Sequence, residues 1–189
     1  WEALTTCLVG LGAWSYNSRA SFGEMGPVLT LDDLDFTSHS EAQTRRLGER
    51  LGALLQPGDV ICLQGPLGSG KTRFVQGIAR GLRVAGIISS PSYTIVNEYR
   101  APNGIVLYHI DFYRLDQSSF PGFDPEECIG GAGVAVIEWP ERGARFIPPE
   151  NLWLKFRHVD ESKRGILMSA HGERYRELLR AFRRSAFGI

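Results

Sequence analysis

The chain has 189 residues, 43% of them hydrophobic and 22% charged, which is the make-up of a soluble globular protein with one sizeable core. Lys plus Arg and Asp plus Glu stand at 21 each, so no overall basic charge draws it onto nucleic acid, and DNA is not an expected partner. No run approaches the roughly 20 apolar residues that cross a bilayer, and Cys7, Cys62 and Cys128 form no C-x-x-C pair, which argues against zinc or a disulfide framework and suits a reducing cytoplasm.

The chain starts at Trp1, and residues 1–24 show no sustained periodicity; the first methionine is Met25. No Lys or Arg precedes the mildly apolar stretch from Leu4 to Trp14, so a secretory signal is not expected. Residues 1–27 are set aside as an N-terminal extension, disordered or artefactual, and residues 28–189 are expected to form one domain.

Residues 28–37 read as a short strand with its turn. Ser38 and Glu41 have capping-box spacing, with Ser40 as a competing N-cap, and Leu47, Leu51, Leu54 and Leu55 follow at helical spacing up to Pro57-Gly58. Val60 to Leu63 is the continuous apolar run of a strand buried on both faces. A second helix is predicted from Lys71 to Leu82, burying Phe74, Val75, Ile78 and Leu82. Tyr93–Arg100 and Ile105–Ile110 flank Pro102-Asn103-Gly104 and read as a hairpin. After a loop-rich stretch with a short helix from Pro125, Val134 to Ile137 is another buried strand, ending in Glu138. Two further strands are expected over 151–159 and 164–170, then an amphipathic helix over 172–184. The pattern predicts an α/β protein: a mixed, mostly parallel sheet flanked by helices, with an antiparallel hairpin.

Gly65-Pro66-Leu67-Gly68-Ser69-Gly70-Lys71-Thr72 satisfies G-x-x-x-x-G-K-[ST], with a strand before it and a helix after it, and assigns the P-loop NTPase fold. Its glycines let successive N–H groups turn inward onto phosphate, and the following helix adds the positive end of its dipole. Lys71 is placed to reach the β- and γ-phosphates and the Thr72 hydroxyl to ligate Mg²⁺. Such a site needs an acid at the end of a neighbouring strand. Glu138 and Asp111 both qualify: Glu138 as metal ligand and Asp111 as positioner or base for the attacking water, or the reverse. In Ser90-Pro91-Ser92-Tyr93-Thr94 a hydroxyl, from Thr94 or Ser92, is expected near the γ-phosphate. Trp139 reads equally as core packing or as a cover over the phosphates.

His39, His109, His158 and His171 have no metal-ligand spacing and read as structural or solvated. The arginines of the last helix, Arg174, Arg176, Arg180, Arg183 and Arg184, read first as a solvated face and second as a contact to RNA or an acidic partner.

From about Glu41 to Ala170 the chain resembles the TsaE family, small bacterial ATPases that assist threonylcarbamoylation of adenosine in tRNA. The resemblance rests on Leu47-Gly48-Glu49-Arg50-Leu51, the P-loop, Ser90 to Tyr99, Tyr108-His109-Ile110-Asp111-Phe112-Tyr113-Arg114-Leu115, and Ile137-Glu138-Trp139-Pro140-Glu141. It implies that Thr72 and Glu138 hold Mg²⁺, that Asp111 is needed for ATP hydrolysis, and that Trp139 lies over the site. Glu41 and Arg164 would lie near the base of the nucleotide. It also implies TsaB and TsaD as partners, with tRNA engaged indirectly through that complex. The chain departs from the family pattern at Pro66, where an acid is frequent, and at Ser69, where alanine is frequent. Two other functions remain open. One is a small-molecule P-loop kinase, for which Arg142-Gly143-Ala144-Arg145 is the only lid-like stretch. The other is a nucleotide-gated interaction module with negligible turnover.

Overall fold

The computed structural model describes residues 28–92, 94–115 and 124–188; the extension expected over 1–27 lies outside them. In chain order the elements are β1 (Val28–Leu29), β2 (Asp33–Ser38), α1 (Glu41–Gly52), β3 (Val60–Gln64), α2 (Lys71–Gly81), β4 (Val96–Arg100) and β5 (Val106–Asp111). Then come α3 (Pro125–Cys128), β6 (Val134–Glu138), a 3₁₀ segment (Pro140–Phe146), β7 (Asn151–His158), β8 (Arg164–His171) and α4 (Glu173–Phe187).

Among the described residues the strands form one sheet in the order β1-β2-β8-β7-β3-β6-β5-β4. Its centre, β7-β3-β6-β5, is parallel. Both flanks are antiparallel: the expected β4–β5 hairpin on one side, and β7-β8-β2-β1 on the other. The second flank is wider than the sequence suggested, because a short turn between β7 and β8 permits only antiparallel pairing. Between the flanks β3 and β6 are fully apolar and buried up to their last residues, as strands covered on both faces must be.

One face of the sheet packs Leu63, Leu107 and Val136 with Leu47 and Leu51 of α1, Phe74, Val75 and Ile78 of α2, and Leu178, Leu179 and Phe182 of α4. The other packs Cys62, Ile110, Phe112 and Ile137 with Cys128 of α3 and the half-buried Phe146 of the 3₁₀ segment. The helix α1 is capped by Ser40, not Ser38: the Gln43 amide donates to Ser40 Oγ at 3.1 Å and the His39 amide to Gln43 Oε1 at 2.7 Å. Ser38 instead ends β2, its buried hydroxyl 2.8 Å from Thr44 Oγ1. The helix stops at Gly52, before Pro57-Gly58. Helices α1 and α2 meet glycine to glycine, since a Cβ on Gly77 would lie 2.1 Å from the Arg45 carbonyl oxygen and one on Gly48 2.3 Å from that of Phe74.

The arginines of α4 are largely committed to the fold. Arg174 makes a bidentate pair with the buried Asp59 at 2.9 and 2.6 Å, Arg176 reaches Asp32 at 2.5 Å, Arg180 reaches Glu173 at 3.0 Å, and Arg183 binds the carbonyls of Thr30 and Asp33. The face that reads from sequence as solvated thus ties α4 to β2 and to the start of β3.

Candidate functional site

The C-terminal ends of the parallel strands carry the site, where backbone polarity and chain reversals of α/β folds place ligands. Asp111 and Glu138 are register partners at the ends of β5 and β6, and Leu63 of β3 is the register partner of Glu138 on its other side. The P-loop therefore leaves β3 directly beside Glu138, with Asp111 one strand further on. At its end Gly70, with φ of 96°, turns left-handed to start α2, a conformation that favours glycine.

A cavity of about 840 Å³ opens here, within the roughly 300–1,000 Å³ of small-molecule sites. It is lined by Leu67 to Arg73, Ser40, Glu41, Thr44, Ser90, Ser92, Asp111, Tyr113, Arg114, Glu138, Trp139, Glu161, Ser162 and Arg164. The structure thus brings together Lys71, Thr72, Asp111, Glu138, Trp139, Glu41 and Arg164, along with Leu67, Gly68, Ser69 and Gly70. Pro66 is outside the lining and joins the site only through its carbonyl, which accepts from Lys71. Thr94 is also outside it: its hydroxyl donates to Asn97 Oδ1 at 3.1 Å, and Ser90 and Ser92 of the same loop face the cavity.

Lys71 is buried, and its Nζ donates to the carbonyls of Gly65 at 2.7 Å and Pro66 at 3.0 Å while standing 4.1 Å from the Trp139 ring centroid. Burial pushes its ammonium below the ordinary range, and the carboxylates of Glu138, Asp111 and Glu141 pull it back up. The Thr72 hydroxyl donates to the Glu138 carboxylate, 2.9 Å from Oε1 and 3.2 Å from Oε2. Asp111 accepts from Ser90 at 2.7 Å and Ser92 at 2.6 Å on Oδ2, and from the Tyr113 amide at 2.8 Å on Oδ1.

Trp139 has φ of 58°, rare for a bulky side chain, and its amide donates to Leu63 O at 3.1 Å. This bend turns the indole back over Lys71, and the Tyr113 ring lies 5.0 Å from it. The 3₁₀ segment that holds Arg142-Gly143-Ala144-Arg145 packs against the chain that leaves β5. A Cβ on Gly143 would lie 2.5 Å from the Phe112 ring, and Arg142 reaches back to the Tyr113 carbonyl.

On the opposite wall Arg164 Nη1 donates to the carbonyls of Asp160, Glu161 and Lys163 at 3.0, 3.1 and 2.9 Å, shaping the β7–β8 turn. Glu41 bridges α1 and α2, accepting from Arg45 at 2.7 Å and paired with Arg73 at 3.1 Å. Sequence reasoning missed Thr44, Arg73 and Ser162 as lining residues, because an isolated polar residue next to a helix start or in a turn carries no spacing rule. It also missed His109, whose buried Nε2 lies 3.0 Å from Glu138 Oε1.

Oxygen donors from Thr72 and Glu138, beside a lysine, suit a hard cation shared with phosphate. Among the described residues no cluster of three or more His, Cys, Asp or Glu forms an all-protein metal cage. Mg²⁺ characteristically needs none, being held by one or two protein oxygens, waters and substrate phosphates. Described helices include none long and apolar enough to cross a membrane.

A parallel sheet centre, a P-loop between strand and helix, and two acids at adjacent strand ends define a P-loop protein of the nucleotide-binding class. A family model, "Threonylcarbamoyl adenosine biosynthesis protein TsaE", matches residues 38–166, and the chain belongs to that family. Its relatives include the "tRNA threonylcarbamoyladenosine biosynthesis protein TsaE" of Bacillus subtilis (strain 168), 35% identical over 150 residues that make up 78% of this chain and 92% of the relative. The protein of the same name from Aquifex aeolicus (strain VF5) is 41% identical over 129 residues, 67% of this chain and 89% of the relative. The solved structure described as "Crystal structure of Bacillus subtilus YdiB" superposes with a TM-score of 0.70 at 31% identity, covering 80% of this chain and 95% of that one.

Proposed function

We propose that this protein is an ATP- and Mg²⁺-dependent ATPase of tRNA threonylcarbamoylation in the cytoplasm, working on a complex of TsaB- and TsaD-like proteins. The observation that carries the ATPase reading is the convergence of Lys71, Thr72, Glu138 and Asp111 on one cavity beside the P-loop. Family membership carries the tRNA reading.

In this reading the amides from Leu67 onward and the Lys71 ammonium grip the phosphates. Lys71 exchanges the carbonyls of Gly65 and Pro66 for phosphate oxygens. Thr72 and Glu138 hold Mg²⁺, which, when bound, offsets charge on the β- and γ-phosphates. Of about four acceptor positions on the Asp111 carboxylate, Ser90, Ser92 and the Tyr113 amide occupy three. The remaining one orients the attacking water. Catalysis is then mostly positioning and electrostatic stabilisation. Glu41 and Arg164 flank the base, and Trp139 shields the phosphates from bulk water.

ATP turnover by the purified chain, alone and with TsaB- and TsaD-like proteins from the same organism, tests the reading. Slow turnover alone, stimulated by the pair and lost in Asp111→Asn, is the expected result. Turnover indifferent to the pair would point to a kinase with an unidentified acceptor. Nucleotide binding without turnover under any condition would make the protein a nucleotide-gated interaction module.

A further inference from the structure

We infer that His109 is a positioning residue for Mg²⁺, fixing the Glu138 carboxylate from behind; this rests on the nucleotide and Mg²⁺ reading above. His109 and Asp111 lie two residues apart on β5 and so share one face of the sheet, the face that also carries Glu138. The imidazole is 0% exposed, and its Nε2 stands 3.0 Å from Glu138 Oε1, the oxygen nearer to Thr72. As a metal ligand Glu138 would be an acceptor only, so Nε2 would carry the hydrogen and donate it. Among the described residues Nδ1 has no hydrogen-bond partner. A bare lone pair there costs less than a buried unpaired N–H, which selects the Nε2–H tautomer.

The consequence is directional. Two donors, Thr72 Oγ1 and His109 Nε2, hold Oε1, while among the described residues Oε2 has the longer Thr72 contact at 3.2 Å alone. The carboxylate is thus held in one orientation by this chain's own side chains, and Glu138 would offer it to the cation ready-aligned. Hydrogen bonds of this kind behind a metal ligand are characteristically worth about 10- to 100-fold in metal affinity.

The test compares His109→Leu, which keeps an apolar-compatible volume without a donor, and His109→Gln, which restores an N–H at similar reach. A fluorescent ATP analogue is titrated onto the full chain in excess EDTA and across a Mg²⁺ series, with melting curves run in parallel. The Leu variant is expected to need roughly 10-fold or more Mg²⁺ for half-maximal effect, with Mg²⁺-free nucleotide affinity unchanged, and the Gln variant to recover most of the loss. A folded Leu variant with the parent's Mg²⁺ dependence would overturn the inference. If the Leu variant does not fold, the nitrogen-15 spectrum of the parent decides: an Nε2–H tautomer perturbed by Mg²⁺–nucleotide supports it, and an Nδ1–H tautomer sinks it. A parent chain that binds no nucleotide would refute the underlying reading instead, whereas nucleotide binding indifferent to Mg²⁺ would remove only the metal role.

Discussion

Thr72 and Glu138, 66 residues apart in the chain, meet with the hydroxyl donating to both carboxylate oxygens at 2.9 and 3.2 Å. One lies in the first turn of α2 and the other closes β6, so the contact joins the P-loop to the neighbouring parallel strand. A hydroxyl and a carboxylate this close can exchange their mutual hydrogen bond for a shared cation without rearranging the backbone. Glu138→Ala should therefore abolish Mg²⁺-dependent ATP turnover while leaving metal-free nucleotide binding largely intact. Hydrolysis near the parent rate in that variant, measured across a Mg²⁺ series, would overturn the metal assignment.

Lys71 is buried at an energetic cost that the nearby carboxylates of Glu138, Asp111 and Glu141 only partly offset, as its lowered ammonium pKa indicates. A residue kept under such strain serves the ligand more than the fold. Lys71→Met should weaken nucleotide binding by about 1.5–3 kcal/mol, roughly 10- to 100-fold, the value of hydrogen bonds to a charged group. Its melting midpoint should equal or exceed the parent's. A large drop in thermal stability would mean that the ammonium holds the loop together rather than the phosphates.

What the sequence made legible was whatever has a period or a fixed spacing. The apolar runs of β3 and β6, the P-loop between strand and helix, and the acids Asp111 and Glu138 at strand ends all fall in that group. The wide antiparallel flank stayed hidden, because residues 28–37 and 164–170 read as strands but not as the partners that β2 and β8 are. A hydroxyl from Thr94 or Ser92 was expected at the cavity, and Ser92 lines it while Thr94 does not. A turn in which the amides of both Thr94 and Ile95 bond Pro91 O, followed by left-handed Ile95 at φ of 68°, aims the Thr94 hydroxyl at Asn97 instead. His109 was passed over since a lone histidine in a strand has no spacing to advertise its partner.

The seam between α1 and α2 makes a stability prediction. At Gly77 an alanine Cβ would lie 2.1 Å from Arg45 O and 2.8 Å from the Glu49 amide, both backbone atoms that cannot swing aside. Alanine would gain about 1 kcal/mol of helix propensity, yet overpacking of this kind costs about 1–3 kcal/mol and occasionally more. Gly77→Ala should lower the urea midpoint, and, since α2 begins at Lys71, weaken nucleotide binding as well. An unchanged midpoint would mean that the two helices separate without penalty.

Alkaline pH should unfold the protein earlier than its acids and bases would suggest from sequence alone. Burial first, then nearby carboxylates, pushes the Cys128 thiol up to about 11, and burial pushes the Tyr175 phenol up to about 12 and the Cys62 thiol upward. Each group binds its proton more tightly folded than unfolded, where thiols titrate near about 8.5 and phenols near about 10. The stability they contribute is therefore complete below those unfolded values and is lost as pH rises through the folded ones. Lys71, whose pKa is lowered, works in the opposite sense, but it is one group against four, since burial raises the Tyr108 phenol as well. Urea midpoints should hold from about pH 7 to 8 and fall steadily between about pH 9 and 12. Tyr175→Phe separates the phenol from the thiols. It removes the acceptor of the Val60 amide, 2.8 Å away, and should cost about 1–3 kcal/mol at neutral pH. The same variant should show a shallower decline above about pH 10. A decline as steep as the parent's would assign the alkaline loss to the two thiols and the Tyr108 phenol.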